Sequence, residues 1–167
     1  DRETGRFLRG RPFVRENWAD GLDDSGRPVE TPQPPGAPTY PGIQGGTNWY
    51  SPSYSPSTEL FYIPAWEDYA TVFNGEAQEY VEGRSFIGGR PNAFEPIPDA
   101  PTVPGLTRGP INTWTDTVGN GAILALDALT GEEQWKFQMT DVTSSGVLTT
   151  ASDLLFTGAR SGYFQAL

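Results

Sequence analysis

The chain has 167 residues, with 20 Gly, 16 Pro and 13% aromatic side chains, the composition of a loop-rich β protein long enough for a real core. A formal charge of −10 argues against a phosphate-backbone partner, hence no nucleic acid, and no run approaches the ~20 apolar residues of a membrane span. Without Cys or His it holds no disulfide, no thiolate or imidazole metal site, no Cys-x-x-Cys-His haem attachment and no Ser-His-Asp triad of its own.

The first residues, Asp1-x-x-Thr4-Gly5, have the chemistry of a tight turn: two side chains that hydrogen-bond backbone, then a glycine for positive φ. Arg2, Arg6, Arg9, Arg11 and Arg15 follow, then Glu16, Asp20, Asp23 and Asp24, so the segment is nearly balanced and reads as a solvated rim. Residues 17–21 and 24–28 read as turns, with Trp18 as a packing anchor. Residues 28–42 hold Pro28, Pro32, Pro34, Pro35, Pro38 and Pro41, which suits an extended excursion rather than a central strand.

Gly45-Gly46-Thr47-Asn48-Trp49 is the most informative short motif. Two glycines allow close backbone approach, Asn48 offers a donor and an acceptor, and Trp49 offers a flat face. A hairpin follows, with its second strand at 60–65. Glu67, Asp68, Glu76, Glu79 and Glu82 lack the spacing of a Ca²⁺ loop and read as a solvated acidic loop. Residues 83–113 carry six more prolines and five glycines, a second excursion, with no phosphate-loop pattern.

Residues 121–167 repeat themselves. Gly121, Ala125 and Leu126 return 41 residues later as Gly162, Ala166 and Leu167, the spacing of a four-stranded blade with strands of about five residues. Between the copies, 133–138, 146–151 and 154–157 are strand-length runs bounded by Gly, Asp or Ser. The first copy extends into Ala125-x-Asp127-x-x-Thr130-Gly131-x-x-x-Trp135, whose turn matches that of Asp1 to Gly5. Trp135 on the returning strand is placed to lie against the next blade, with Ala125 leaving room for its ring. At the N-terminal copy Arg9 stands where Trp135 would be.

These motifs, Ala125 to Trp135 and Gly45 to Trp49 with the hairpin after it, resemble the PQQ-dependent (quinoprotein) alcohol dehydrogenases of the methanol and ethanol dehydrogenase type. The resemblance implies an all-β fold: part of an eight-bladed β-propeller of four-stranded antiparallel blades joined by the tryptophan-docking motif. It implies that residues 1–167 are an incomplete propeller domain cut in mid-repeat, with 28–42 and 83–113 as inter-strand excursions. Carried over by position, Asn48 and Trp49 contact the quinone; the catalytic base and the ligands of a Ca²⁺ or lanthanide ion are expected outside the segment. In the family that ion polarises a quinone carbonyl while a carboxylate takes the alcohol proton. The expected partners are a small alcohol and an electron acceptor such as a cytochrome c, in the periplasm, and the segment alone is expected to be inactive. Many members have a Trp where this chain has Ser144, two residues before Gly146, which puts stacking from that strand in doubt. The alternative is a non-catalytic propeller scaffold of the outer-membrane assembly lipoprotein type, which shares the turns but has no use for an axial Gly-Gly-Thr-Asn-Trp. A polysaccharide-binding module presenting Trp and Tyr fits the repeat less well.

Overall fold

The Asp-x-x-Thr-Gly turn forms twice, and the two copies share their hydrogen bonds. In a computed structural model describing residues 1–72, 77–86, 120–139, 143–159 and 162–167, Gly5 N–H donates to Asp1 O and Gly131 N–H to Asp127 O, both at 2.8 Å. Thr4 and Thr130 N–H donate to the Asp1 and Asp127 carboxylates at 2.8 and 2.6 Å. The glycines close the turns at φ 69° and 72°, where a Cβ would be strained.

Strands alone make up the regular structure among the described residues: β1 (Ala19–Leu22), β2 (Pro28–Glu30), β3 (Pro38–Thr39), β4 (Ser53–Ser55), β5 (Leu60–Glu67), β6 (Thr71–Val72), β7 (Asn120–Asp127), β8 (Glu133–Gln138), β9 (Leu148–Thr149), β10 (Leu155–Gly158) and β11 (Phe164–Ala166). All pairings are antiparallel. The central sheet has the order β4-β5-β7-β8, a complete four-stranded blade, and β9-β10-β11 form three strands of a second sheet. Among the described residues no helix is long and apolar enough to cross a membrane.

The repeat of 121–126 at 162–167 is a repeat of position. β7 is the third strand of its sheet and β11 the third of the next; Ala125 pairs with Tyr62 on β5, and Ala166 with Phe156 on β10. β7 is apolar throughout because both its faces are covered. Ile123 and Ala125 join Tyr62 against Val147 and Leu155 of the following sheet, while Ala122, Leu124 and Leu126 join Ile63 and Ala65 against Phe13 and Val14. Burying a Leu or Ile side chain on either face contributes about 1.5–3 kcal/mol.

Pro64 sits inside β5 without breaking its ladder. Trp66 N–H, two residues further on, donates to Gly46 O, so the Pro64 nitrogen faces that same flank, beyond the stretch of β5 that β4 pairs.

Two expectations need adjusting. Of residues 17–21, read as a turn, Ala19 to Gly21 belong to the strand β1. The cause is long-range: Asn17 donates through Nδ2 to Pro38 O and accepts from Tyr40 N–H, pinning the proline-rich run beside the segment that enters β1. That run pairs at both ends, through β2 with β1 and through β3 with β6. Trp18 is only partly covered, with 39% of its surface exposed. The second excursion lies outside the described residues from 87 onward.

Candidate functional site

The loop between β3 and β4 carries Asn48 and Trp49. Gly45 begins it at φ 78°, and Gly46 is pressed against Val14 so closely that a Cβ would lie 2.3 Å from a methyl carbon. With Trp66 N–H held on Gly46 O at 2.8 Å, the loop is fixed to the end of β5.

Asn48 holds the loop from inside. Its Nδ2 donates to Gln44 O at 2.8 Å and to Gln44 Oε1 at 3.2 Å, while Oδ1 accepts from Trp49 N–H at 2.8 Å. One Oδ1 lone pair is left for another donor. Trp49 is 81% exposed and rests on Tyr50, ring centroids 4.6 Å apart. The stack continues inward from Tyr50 to Trp66 at 5.9 Å, then to Tyr69 at 5.6 Å in an edge-on contact. Trp66 and Tyr69 are buried, and the Trp66 indole N–H donates to Thr143 O. Burial raises the Tyr69 hydroxyl pKa, partly opposed by a hydrogen bond with Thr71. An open indole therefore stands on a run of tilted aromatic rings whose inner end is buried.

A second loop enters β9 beside it. Val147 N–H donates to Ser51 O at 2.8 Å, and a Cβ on Gly146 would lie 3.2 Å from Ser51 O and 3.3 Å from Ser51 N. Strand pairing makes the two loops equivalent: Tyr62 pairs with Ser53 as Phe156 pairs with Leu148, so Ser51 matches Gly146 and Trp49 matches Ser144. Two positions singled out for different reasons in the sequence are thus the same step of successive blades.

At the end of β5, Glu67 and Asp68 are paired. Glu67 accepts from Lys136 at 2.8 Å, which raises the lysine pKa, and Asp68 lies 3.6 Å from Arg15, whose guanidinium stacks 4.0 Å over Tyr40. Glu79 and Glu82 are exposed, and Glu76 lies outside the described residues. No group of three or more potential metal-ligating side chains occurs among the described residues.

Trp135 faces the following sheet but is not enclosed. It pairs with Ala125, lies 5.6 Å from the Tyr62 ring and stays 37% exposed at a cleft of about 190 Å³ that Leu155 and Leu167 also line. Sequence reasoning did not find the Ser51–Gly146 approach or the aromatic stack behind Trp49; the signals were Gly146 itself and the cluster of Tyr50, Trp66 and Tyr69.

No family model matches the chain. It is 34% identical over 178 residues to the quinoprotein alcohol dehydrogenase PedH of Pseudomonas putida, covering 99% of this chain and 27% of the relative. It is 32% identical to the dehydrogenase subunit of a quinone alcohol dehydrogenase from Acetobacter aceti, covering 99% of this chain and 22% of the relative. Both relatives are quinone-dependent alcohol dehydrogenases. Among solved structures, quinohemoprotein alcohol dehydrogenase from Comamonas testosteroni superposes with a TM-score of 0.71 at 25% identity, over 99% of this chain and 24% of that one. A europium-containing methanol dehydrogenase superposes at 0.66 with 26% identity, over 94% of this chain and 26% of that one. The all-β fold expected from the sequence is borne out: the sheets are those of a segment of the dehydrogenase β-propeller. The chain spans about a quarter of the length of the relatives it matches.

Proposed function

We propose that the chain is a segment of a PQQ-dependent alcohol dehydrogenase, a periplasmic enzyme that oxidises a small alcohol and passes electrons to an external acceptor such as a cytochrome c. The observation that carries this reading is the match to quinoprotein alcohol dehydrogenases over 99% of the chain. Relatives named as a 1-butanol dehydrogenase (cytochrome c) and a europium-containing methanol dehydrogenase support the acceptor and a lanthanide or Ca²⁺ ion. The scaffold alternative is not favoured, since PedH and the Acetobacter aceti subunit, matched over 99% of the chain, are dehydrogenases.

The residues fit one wall of a site for a flat, polar ring system. Trp49 offers an open indole face backed by Tyr50, and Asn48 Oδ1 keeps one lone pair while its amide stiffens the loop. When bound, PQQ supplies the quinone that accepts the electrons of the alcohol. Trp49 would cover part of its surface and exclude water, and Asn48 would hold Trp49 in register. The carboxylate base and metal ligands are assigned to other parts of the full-length protein, so these residues position and shield without moving the substrate proton.

The test is reconstitution of full-length, metal-loaded apoprotein with PQQ, followed by absorbance titration and dye-linked alcohol oxidation. Saturable uptake with alcohol-dependent dye reduction is expected. A protein that takes up no PQQ overturns the proposal.

A further inference from the structure

We propose that Gly146 is a positioning residue for the cofactor wall: by having no side chain it lets two neighbouring blades meet backbone to backbone, and so sets the spacing between the loop of Trp49 and the loop of Ser144. The inference rests on the functional reading above and assigns a role to a residue outside the Asn48–Trp49 pair.

The joint is small and direct. Val147 N–H donates to Ser51 O at 2.8 Å, a main-chain bond between the steps entering β4 and β9. Beside it, the hydrogen of Gly146 points at Ser51, where a methyl carbon would sit 3.2 Å from the carbonyl oxygen and 3.3 Å from the nitrogen. Both neighbours are backbone, so neither rotates away, and a larger residue displaces one loop by a few tenths of an ångström. Ser51 is two residues from Trp49, as Gly146 is from Ser144, so the shift reaches the exposed indole. Other contacts hold the outer parts of both loops. Trp66 N–H fixes Gly46, the Trp66 indole holds Thr143 O, and Thr157 Oγ1 donates to Gly146 O at 3.1 Å. Ser53 Oγ and Thr149 Oγ1, 2.7 Å apart, hold β4 to β9 on the far side of the joint, so the Ser51–Gly146 contact sets the gap on the side of Trp49. Displacements well below 1 Å matter at such a site, because 1 Å of misplacement can cost about 100-fold in rate.

The experiment uses the full-length protein with its metal and compares Gly146→Ala, Gly146→Val and Leu126→Ala. Leu126 lies in the core on the opposite face of β7, in a cluster that includes neither Ser51, Gly146 nor Val147, so its truncation lowers stability without touching the joint. Expected is a graded loss of PQQ affinity, about fivefold for Gly146→Ala and about fiftyfold or more for Gly146→Val, a loss of roughly 1 and 2.3 kcal/mol. A crystal structure of Gly146→Ala is expected to show the Ser51–Gly146 separation widened and Trp49 moved, while Leu126→Ala binds PQQ like the parent at a lower Tm. If Gly146→Ala and Gly146→Val both bind like the parent, or if Leu126→Ala weakens binding as much, the positioning role is overturned and the functional reading stands. A parent that takes up no PQQ overturns both.

Discussion

Asp1 and Asp127 do the same work at the head of two turns: each carboxylate accepts from the N–H groups two and three residues further on. These backbone bonds need the ionised carboxylate as an acceptor only. They lower the Asp127 pKa, led by the bond from Thr130, with a smaller contribution from the charge of Arg9. A folded-state pKa below the unfolded one gives stability that is present above the ordinary carboxylate value of 3.8 and lost as pH falls through the lowered value. Asp127→Asn keeps an acceptor oxygen but does not titrate. Thermal melts at pH 7 and pH 3 should therefore show a smaller acid loss for Asp127→Asn than for the parent; equal losses would mean the turn carries no linkage.

Arg11 and Glu132 tie the N-terminal segment to the second turn at 3.2 Å, with both side chains more than half exposed. Such a pair is worth ~0–1 kcal/mol. A double-mutant cycle with Arg11→Ala and Glu132→Ala should return a coupling below about 1 kcal/mol that shrinks in 1 M salt, measured from denaturant midpoints. A salt-independent coupling above that range would place the pair in a drier setting than its exposure indicates.

Leu124 has no exposed surface and packs with Ile63 and Ala65 against Phe13 and Val14. Leu124→Ala should cost about 2–5 kcal/mol, the range for truncating a buried leucine. Trp135 is only about two-thirds covered, so Trp135→Ala should cost less than full burial implies, about 2–3 kcal/mol. Urea titration of both variants checks the order. A larger loss at Trp135 would indicate that more of its ring is covered in the full-length protein.

The turns and the repeat were legible because their chemistry is local. Asp127, Thr130 and Gly131 carry the donors, acceptors and φ of their own turn, and β7 and β11 repeat because both are third strands. The strand at 19–22 was not legible. Its pairing partner is a proline-rich run held in place by Asn17 and Tyr40, which lie 23 residues apart in sequence. Gly45-Gly46-Thr47-Asn48-Trp49 could be picked out from residue types alone, as could the presence of an indole that the fold leaves exposed. The engagement of the Asn48 amide with Gln44 and Trp49 could not, since the same amide chemistry serves a ligand or a loop equally well.

That double use decides what removing Asn48 does. Asn48→Ala deletes the bonds to Gln44 O and Oε1 and the acceptor for Trp49 N–H, so the loop loses its brace and any ligand contact through Oδ1 together. A ligand contact through Oδ1 takes an uncharged donor, a bond worth about 0.5–1.5 kcal/mol, so PQQ affinity should fall about two- to tenfold. Gln44→Ala removes only the 3.2 Å partner and leaves the backbone acceptor, so its effect should stay within about twofold. A purely bracing role predicts that Asn48→Ala also exposes the loop to limited proteolysis near Trp49. A ligand contact adds loss of affinity with the loop still protected. Titration with PQQ and a protease time course on the same full-length samples separate the two, and parent-like behaviour in both would remove Asn48 from the site.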